Sequence, residues 1–264
     1  MYTQVNLLRK TGRFRLYPVM QTTPGFGLSM QKHYQLVTID EFQKDEEAIL
    51  DFLSSNSTGI RLLNYYRELP VSFDASIVFS DRGVVEMKIH DLQAAAMMMQ
   101  KEVFIKCKGL PYDVVAKVMK IRKTTRSAFL TSFHYAIIPA ERRVCVRVRV
   151  SEKFDATFHF DNQLIQGSIE DISYSGLSIN APEGISLEEN STGKVMIALP
   201  TAMIELTGKL LKVNQTNSFA KFIIELEMDK KGEQCISQFM FAQQSVIIRE
   251  LKDLFDSGPD TIIV

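Results

Sequence analysis

Arg142-Arg143-Val144-Cys145-Val146-Arg147-Val148-Arg149 is followed, about two dozen residues later, by Asp171-Ile172-Ser173-Tyr174-Ser175-Gly176. From Arg143 to Val150 polar and apolar residues alternate: Arg143, Cys145, Arg147 and Arg149 on one side, and Val144, Val146, Val148 and Val150 on the other. A period of two predicts a β-strand with a β-branched core face. Residues four apart on a strand share a face roughly 13 Å apart, so Arg143 and Arg147 can converge on one dianionic ligand. Arginine suits this because its planar fork pairs bidentately with phosphate and stacks on, or hydrogen-bonds, a guanine. The alternative is a solvated cationic face served by protein carboxylates.

The second stretch also alternates, Ile169, Asp171 and Ser173 against Glu170, Ile172 and Tyr174. It breaks at Ser175-Gly176 and resumes at Leu177-Ser178-Ile179. A carboxylate at Asp171 can accept from guanine N1 and N2 donors, and the Ser173 hydroxyl can bond either way. Gly176 permits positive φ or close approach of a ligand to the backbone. Asp, Ser and Gly are also ordinary turn formers, so a plain turn is the competing reading.

Taken together as RRxxxR and DxSxxG, the two motifs resemble the ligand signature of PilZ domains, a family that binds the bacterial second messenger cyclic di-GMP. The resemblance covers roughly residues 140–255. After Gly176 come apolar strand candidates at 195–199, 204–213 and 219–228. A helical pattern through Ile236, Phe239, Met240, Gln243 and Ile247 then runs to Leu254. The resemblance implies a six-stranded barrel closed by a helix. Its implied ligand-binding residues are Arg142, Arg143, Arg147, Asp171, Ser173 and Gly176, with Arg142 in the position associated with holding two intercalated ligand molecules. One departure stands out: Ile223-Ile224-Glu225-Leu226 replaces the family's glycine-bearing pattern in the last strand.

The first half is read as mostly β as well. A helix is expected from Thr38, with Thr38 and Glu41 as a capping box and an apolar face of Phe42, Ile49, Leu50, Phe52 and Leu53. Asn56-Ser57-Thr58-Gly59 breaks it. A further helical turn is expected through Leu62, Leu63 and Tyr66, ended by Pro70. Strand-like runs follow at 71–79, 84–89, 103–107, 114–121 and 128–135, with Asp81-Arg82-Gly83 as a hairpin turn. Between the second and third lies a short helix from Asp91 to Gln100, whose Met97-Met98-Met99 run is read as core packing. Thr22 to Gly27 reads as a turn within a possible flexible stretch, 1–34. The order of elements resembles the amino-terminal barrel of flagellar-brake (YcgR-like) receptors.

The expected fold is therefore mainly β, two β-barrel domains with short early helices. Residues 1–135 form the first domain and 143–264 the PilZ domain. Residues 136–142, with Pro139, are a linker and switch, because the first motif begins there and ligand capture would also order the junction.

Composition sets bounds. A chain of 264 residues with 45% hydrophobic and 23% charged content is ordinary for a soluble globular protein of two modest domains. Net charge is zero, but residues 1–140 hold 18 basic and 13 acidic residues and 141–264 hold 13 and 18. Four of those later cations crowd into 142–149. An acidic half with one basic strand argues against nucleic acid, which wants a broad basic surface, and suits a small anion. Cys107, Cys145 and Cys235 offer no disulfide framework or metal motif, and buried reduced thiols in a cytoplasmic protein are expected. No apolar run reaches a membrane span, and Arg9, Lys10, Arg13 and Arg15 interrupt the amino terminus where a signal peptide needs an apolar core. His33, His90, His134 and His159 have no metal spacing, and no nucleophile has a base beside it, so no enzyme and no cofactor are expected. The expected partners are cyclic di-GMP and a protein target, with the flagellar motor and exopolysaccharide machinery as candidates; a homodimer is compatible with the apolar helices. A PilZ module that has lost its ligand and works by protein contact is the alternative.

Overall fold

The computed structural model describes residues 34–56, 59–182, 188–215 and 219–264. The turn expected at Thr22 to Gly27, and all but the last residue of 1–34, lie outside these.

Two closed six-stranded β-barrels follow one another along the chain. The first half contains β1 (Gln35–Val37), α1 (Phe42–Ser55), β2 (Ile60–Tyr66), β3 (Leu69–Asp81) and β4 (Val84–Lys88). It continues with α2 (Asp91–Gln100), β5 (Glu102–Cys107), β6 (Asp113–Arg122) and β7 (Ser127–Ile137). The barrel order is β7-β4-β3-β2-β5-β6, closed by β6 pairing back to β7, with β1 added on β7. Met87, Val103, Ile105, Leu130 and Phe133 fill the interior, capped by Ile49 and Leu53 of α1. Asp81-Arg82-Gly83 is the expected hairpin turn: Arg82 and Gly83 both take positive φ (47° and 78°), as a tight primed turn requires. Within α2, Met97 is fully buried while Met99 stays exposed.

Two local expectations fail for identifiable reasons. Leu62, Leu63 and Tyr66 belong to strand β2, not to a helix. Leu62 and Asn64 face the barrel interior and α2, while Leu63 and Tyr65 are buried on the other face against Phe104, Val115, Ala136 and Ile138, and a strand buried on both faces loses the alternation that identifies it. Pro70 accordingly sits inside β3, opposite Tyr65. The helix expected from Thr38 starts at Phe42, and the Thr38–Glu41 capping box does not form. The Asp45 carboxylate instead accepts from the Ile39 and Asp40 amides (2.8 and 3.2 Å), and Phe42 remains exposed.

A 3-10 turn, Pro139–Arg142, leads to the second barrel. Its strands are β8 (Arg147–Arg149), β9 (Asp155–Phe160), β10 (Gln163–Ser173), β11 (Gly176–Ala181), β12 (Thr192–Leu199), β13 (Ala202–Gln215) and β14 (Ala220–Glu227). They are followed by α3 (Lys230–Ser257) and β15 (Thr261–Ile263). Strands β11-β14-β13-β12-β9-β10 close on themselves through β10–β11, and β8 lies beside β10. Phe158, Phe222, Ile172, Ile179 and Ile197 make the interior. The Asp229 carboxylate caps α3 by accepting from the Gly232 amide (2.6 Å). Ile236, Phe239 and Met240 of α3 seat on this barrel.

Helix α3 also packs on α2, and beyond it β15 joins the edge of the first barrel by pairing with β6. One continuous core cluster therefore holds Leu69, Val71, Ala95 and Ala96 of the first half together with the second barrel and α3. Among the described residues no helix is long and apolar enough to cross a membrane. The three cysteines are free, but each is partly exposed, not buried as expected.

Candidate functional site

The two motifs meet where β8 lies along β10: Asp171 stands opposite Arg149, Ile172 opposite Val148 and Ser173 opposite Arg147. The first motif is strand only at its end. Residues 143–146 run as an unpaired connection, leaving Val144 99% and Val146 39% exposed, so the expected valine core face is reduced to the fully buried Val148 and the partly buried Val150. With no neighbouring strand to bond, alternation alone does not hold that segment in the sheet.

The second motif carries a β-bulge. Register along β10–β11 shifts between Ile169 and Asp171, leaving Glu170 as the extra residue. Ile169 and Ile172 are thereby both delivered into the barrel core, and Asp171 and Ser173 to the other side. The simple alternation that grouped Ile169 with Asp171 is wrong by this one residue. Two isoleucines three apart, instead of two or four, were its only trace in the sequence.

Asp171 is 5% exposed and well satisfied. Its Oδ2 accepts from Ser178 Oγ (2.7 Å) and Lys221 Nζ (2.9 Å), and its Oδ1 faces Arg147 Nη1 at 4.0 Å. Burial pushes its carboxyl up, but Lys221, Ser178 and Arg147 outweigh that and hold it below the usual carboxylate range. Lys221 also bonds Glu170 (3.0 Å), which pairs with Arg149 (3.0 Å). Ser173 Oγ donates to the Gly176 carbonyl (3.0 Å), so its proton closes the turn and its lone pairs are what it can offer. Gly176 does not take positive φ; a Cβ there would lie 2.4 Å from the Ile224 carbonyl oxygen. Its glycine lets β11 lie close against β14, which is a different reason from the one the motif implies.

The site reaches into the first half of the chain. The β2–β3 hairpin turns through Arg67 and Glu68, both at positive φ (49° and 66°). Such turns favour Asn-Gly, and side-chain-bearing residues there cost energy. The Arg67 carbonyl accepts from the Arg149 amide (2.9 Å), and the Arg67 guanidinium pairs with Glu250 of α3 (3.0 Å). The buried Glu68 carboxylate takes Arg143 Nη1. Arg142, at the end of the 3-10 turn, is exposed. Glu141 beside it bonds Lys106 of β5, which also reaches Asp113 of β6 (3.4 Å). Burial and the neighbouring Glu141 raise Asp113, against the pull of Lys106.

The structure thus brings Arg147, Asp171, Ser173 and Gly176 together on one surface, ties Arg143 to the first barrel, and leaves Arg142 free to solvent. Glu68, Arg67, Glu170 and Lys221 are members that sequence reasoning missed. No pattern links them to the motifs, because barrel register and the packing of two domains, not chain proximity, place them there. With Arg67 paired off by Glu250, the remaining charged groups around the motifs are five cations (Arg142, Arg143, Arg147, Arg149, Lys221) and three carboxylates (Glu68, Glu170, Asp171), a surplus of two positive charges. Among the described residues no cluster of His, Cys, Asp and Glu could hold a metal ion.

Comparison with known proteins places this geometry in a family. Residues 141–242 match the model of the PilZ domain. No curated protein matches the chain. Among solved structures, YcgR from Escherichia coli in complex with c-di-GMP is similar at 9% identity over 86% of this chain and 100% of that one, with a TM-score of 0.41. The K. pneumonia MrkH–c-di-GMP complex is similar at 11% identity over 80% and 97% (TM-score 0.41). The Bacillus subtilis inhibitor of motility MotI/DgrA is similar at 14% over 72% and 97% (TM-score 0.38). With the motif pair on β8 and β10 of a closed barrel that ends in a helix, residues 141–242 of this chain are a PilZ domain.

Proposed function

We propose that the chain is a non-enzymatic receptor for cyclic di-GMP whose ligand seats on the β8–β10 surface and changes how the two barrels are held. The observation that carries the reading is the surplus of two positive charges around the paired motifs, which matches a cyclic dinucleotide with two phosphodiesters. Arg143 and Arg147 serve phosphates and guanine edges, Asp171 and Ser173 accept from a guanine edge, and Arg142 supports a second, intercalated ligand. Gly176 acts through strand packing. The reading assigns residues 1–135 to the first domain and 143–264 to the ligand domain, joined by 136–142, with β15 crossing back to pair with β6 of the first barrel.

The coupling between ligand and domain arrangement runs through Arg143. Its guanidinium is engaged by Glu68, so a phosphate must compete with that carboxylate for it. When Arg143 moves to ligand, the hairpin tip loses this ion pair and keeps the one between Arg67 and Glu250 of α3. The altered arrangement is what a protein partner of the flagellar motor or of exopolysaccharide synthesis would read.

Calorimetric titration with cyclic di-GMP tests this, with GTP and cyclic di-AMP as controls. The expected result is micromolar or tighter binding of cyclic di-GMP alone, with about two ligands per chain if Arg142 acts as assigned. Charge-assisted bonds contribute about 1.5–3 kcal/mol each, so Arg143→Ala or Arg147→Ala weakens binding by roughly ten- to a hundred-fold. Glu68→Gln, which releases Arg143, tightens it. Normal binding by the Arg143/Arg147 double variant would defeat the assignment.

A second reading has its own observation. Arg143, Arg147 and Arg149 each already face a protein carboxylate, as in a ligand-free PilZ module that works through protein contact. No heat with cyclic di-GMP selects it.

A further inference from the structure

We infer that Lys221, outside both motifs, is a positioning residue of the ligand site: it fixes Asp171 so that one carboxylate oxygen stays open toward the ligand side. This rests on the cyclic di-GMP reading above and deepens it.

The argument is one of valence and burial. Asp171 is almost fully enclosed, where an unpaired carboxylate would protonate or turn toward any donor. Two donors, the Ser178 hydroxyl on β11 and the Lys221 ammonium on β14, converge on the same oxygen, Oδ2. Oδ1 is left toward Arg147 on β8, too far for a hydrogen bond at 4.0 Å. An ionised carboxylate clamped at one oxygen keeps the other free to accept from an N–H donor of a guanine edge. Lys221 is itself kept in place by Glu170, the bulged residue, which Arg149 holds from the other side. The groups facing Asp171 are thus Lys221, Arg147 and Ser178, with Glu170 and Arg149 one contact beyond. Of the two cations only Lys221 lies within hydrogen-bond distance. Arg147 is also a group the ligand would claim, so Lys221 is the cation left to keep Asp171 charged while ligand is bound.

The consequence is a pH signature. With Lys221 present, Asp171 stays ionised through the mildly acidic range. With an uncharged side chain of similar length, burial pushes the carboxyl up and the acceptor is lost on acidification. The experiment measures cyclic di-GMP affinity at about pH 5.5 and pH 8 for the wild-type chain, Lys221→Met and Lys221→Arg. The Asp171 carboxyl carbon is followed by NMR titration in each, and melting temperature reports folding. The wild type and Lys221→Arg should differ by less than about twofold between the two pH values, and Lys221→Met should bind about tenfold more weakly at the lower one. Its Asp171 carbon should titrate at higher pH than in the wild type. Equal weakening at both pH values would mean that Lys221 touches ligand directly, and an unmoved Asp171 titration would mean that it does not govern the carboxylate. Either overturns the assignment. If Lys221→Met fails to fold, Lys221→Gln takes its place in the same affinity and carboxyl titrations, with the same outcomes deciding. Failure of the wild-type chain to bind at either pH would instead sink the receptor reading itself.

Discussion

A single methyl group separates two explanations of Gly176. The DxSxxG pattern assigns its glycine to ligand access, while the structure assigns it to strand spacing, with a Cβ meeting the Ile224 carbonyl oxygen at 2.4 Å. Gly176→Ala should therefore cost about 1–3 kcal/mol of stability with no ligand present, as overpacking against rigid backbone does. Thermal denaturation of the apo protein checks this; an unchanged melting temperature would return the glycine to the ligand. Another residue-scale expectation concerns His134, half-buried on β7, with its Nδ1 enclosed and lacking a hydrogen-bond partner among the described residues and its ring edge-on to Phe42 (5.6 Å). Burial, with Lys117 adding and Glu46 and Asp45 opposing, lowers its affinity for a proton. The unfolded chain takes up that proton below about pH 6.5 and the folded chain resists it, so stability falls as pH drops from neutral. His134→Phe should flatten the slope of stability against pH between about 7 and 5, measured by urea unfolding. Residue identity was legible where chemistry is local: Arg147, Asp171 and Ser173 do lie together where β8 meets β10, while Arg143 is held by Glu68. Glu68 and Lys221 were not, since only barrel closure and domain packing bring them within reach.

At the scale of single elements, success followed the strength of the local signal. Helix α2 was readable because His90 and Asp91 open it and the helix formers from Leu92 to Gln100 fill it; the His90 ring accepts from the Leu92 amide (3.1 Å). Strand β2 was not, because Phe104, Val115, Ala136 and Ile138 bury its second face and erase the alternation. Strand β8 was overextended for the opposite reason, alternation without a neighbour to pair with. The bulge at Glu170 shows how one extra residue decides which side chains face a ligand surface. Helix α2 also supplies a test. It ends at Lys101 in the left-handed region, φ 61°, whose amide donates to the Met97 carbonyl (2.8 Å). A Cβ is disfavoured there and glycine is not. Lys101→Gly is expected to stabilise the protein by about 1 kcal/mol, read as a higher denaturant midpoint at unchanged slope. A lower midpoint would show that the Lys101 side chain contributes more than its backbone costs.

Across the whole molecule, two barrels share material that belongs to neither alone. Leu69, Val71, Ala95 and Ala96 pack into the cluster of the second barrel, and Phe255 of α3 touches the cores of both. Lys123 of the first half clamps the end of α3, donating to the carbonyls of Asp256 and Gly258 (3.2 and 2.6 Å), and β15 then pairs with β6. Contacts this apolar make unfolding of one barrel expose the core of the other, so the chain should melt in one cooperative transition. Leu251, 1% exposed on α3 between the two, is the residue to remove. Leu251→Ala should cost about 2–5 kcal/mol and, because that loss falls on the shared face, split the calorimetric transition into two. A single transition merely shifted downward would show that the barrels are joined by more than α3. The same shared face limits what a ligand can do. On the proposed reading, capture of Arg143 by ligand would remove one ion pair at the hairpin tip while α3 and β15 keep both barrels attached, which would leave a pivot about α3 as the motion available. A distance probe pair on the β2–β3 hairpin and β12 should change on adding cyclic di-GMP, and a pair spanning Lys123 and Asp256 should not.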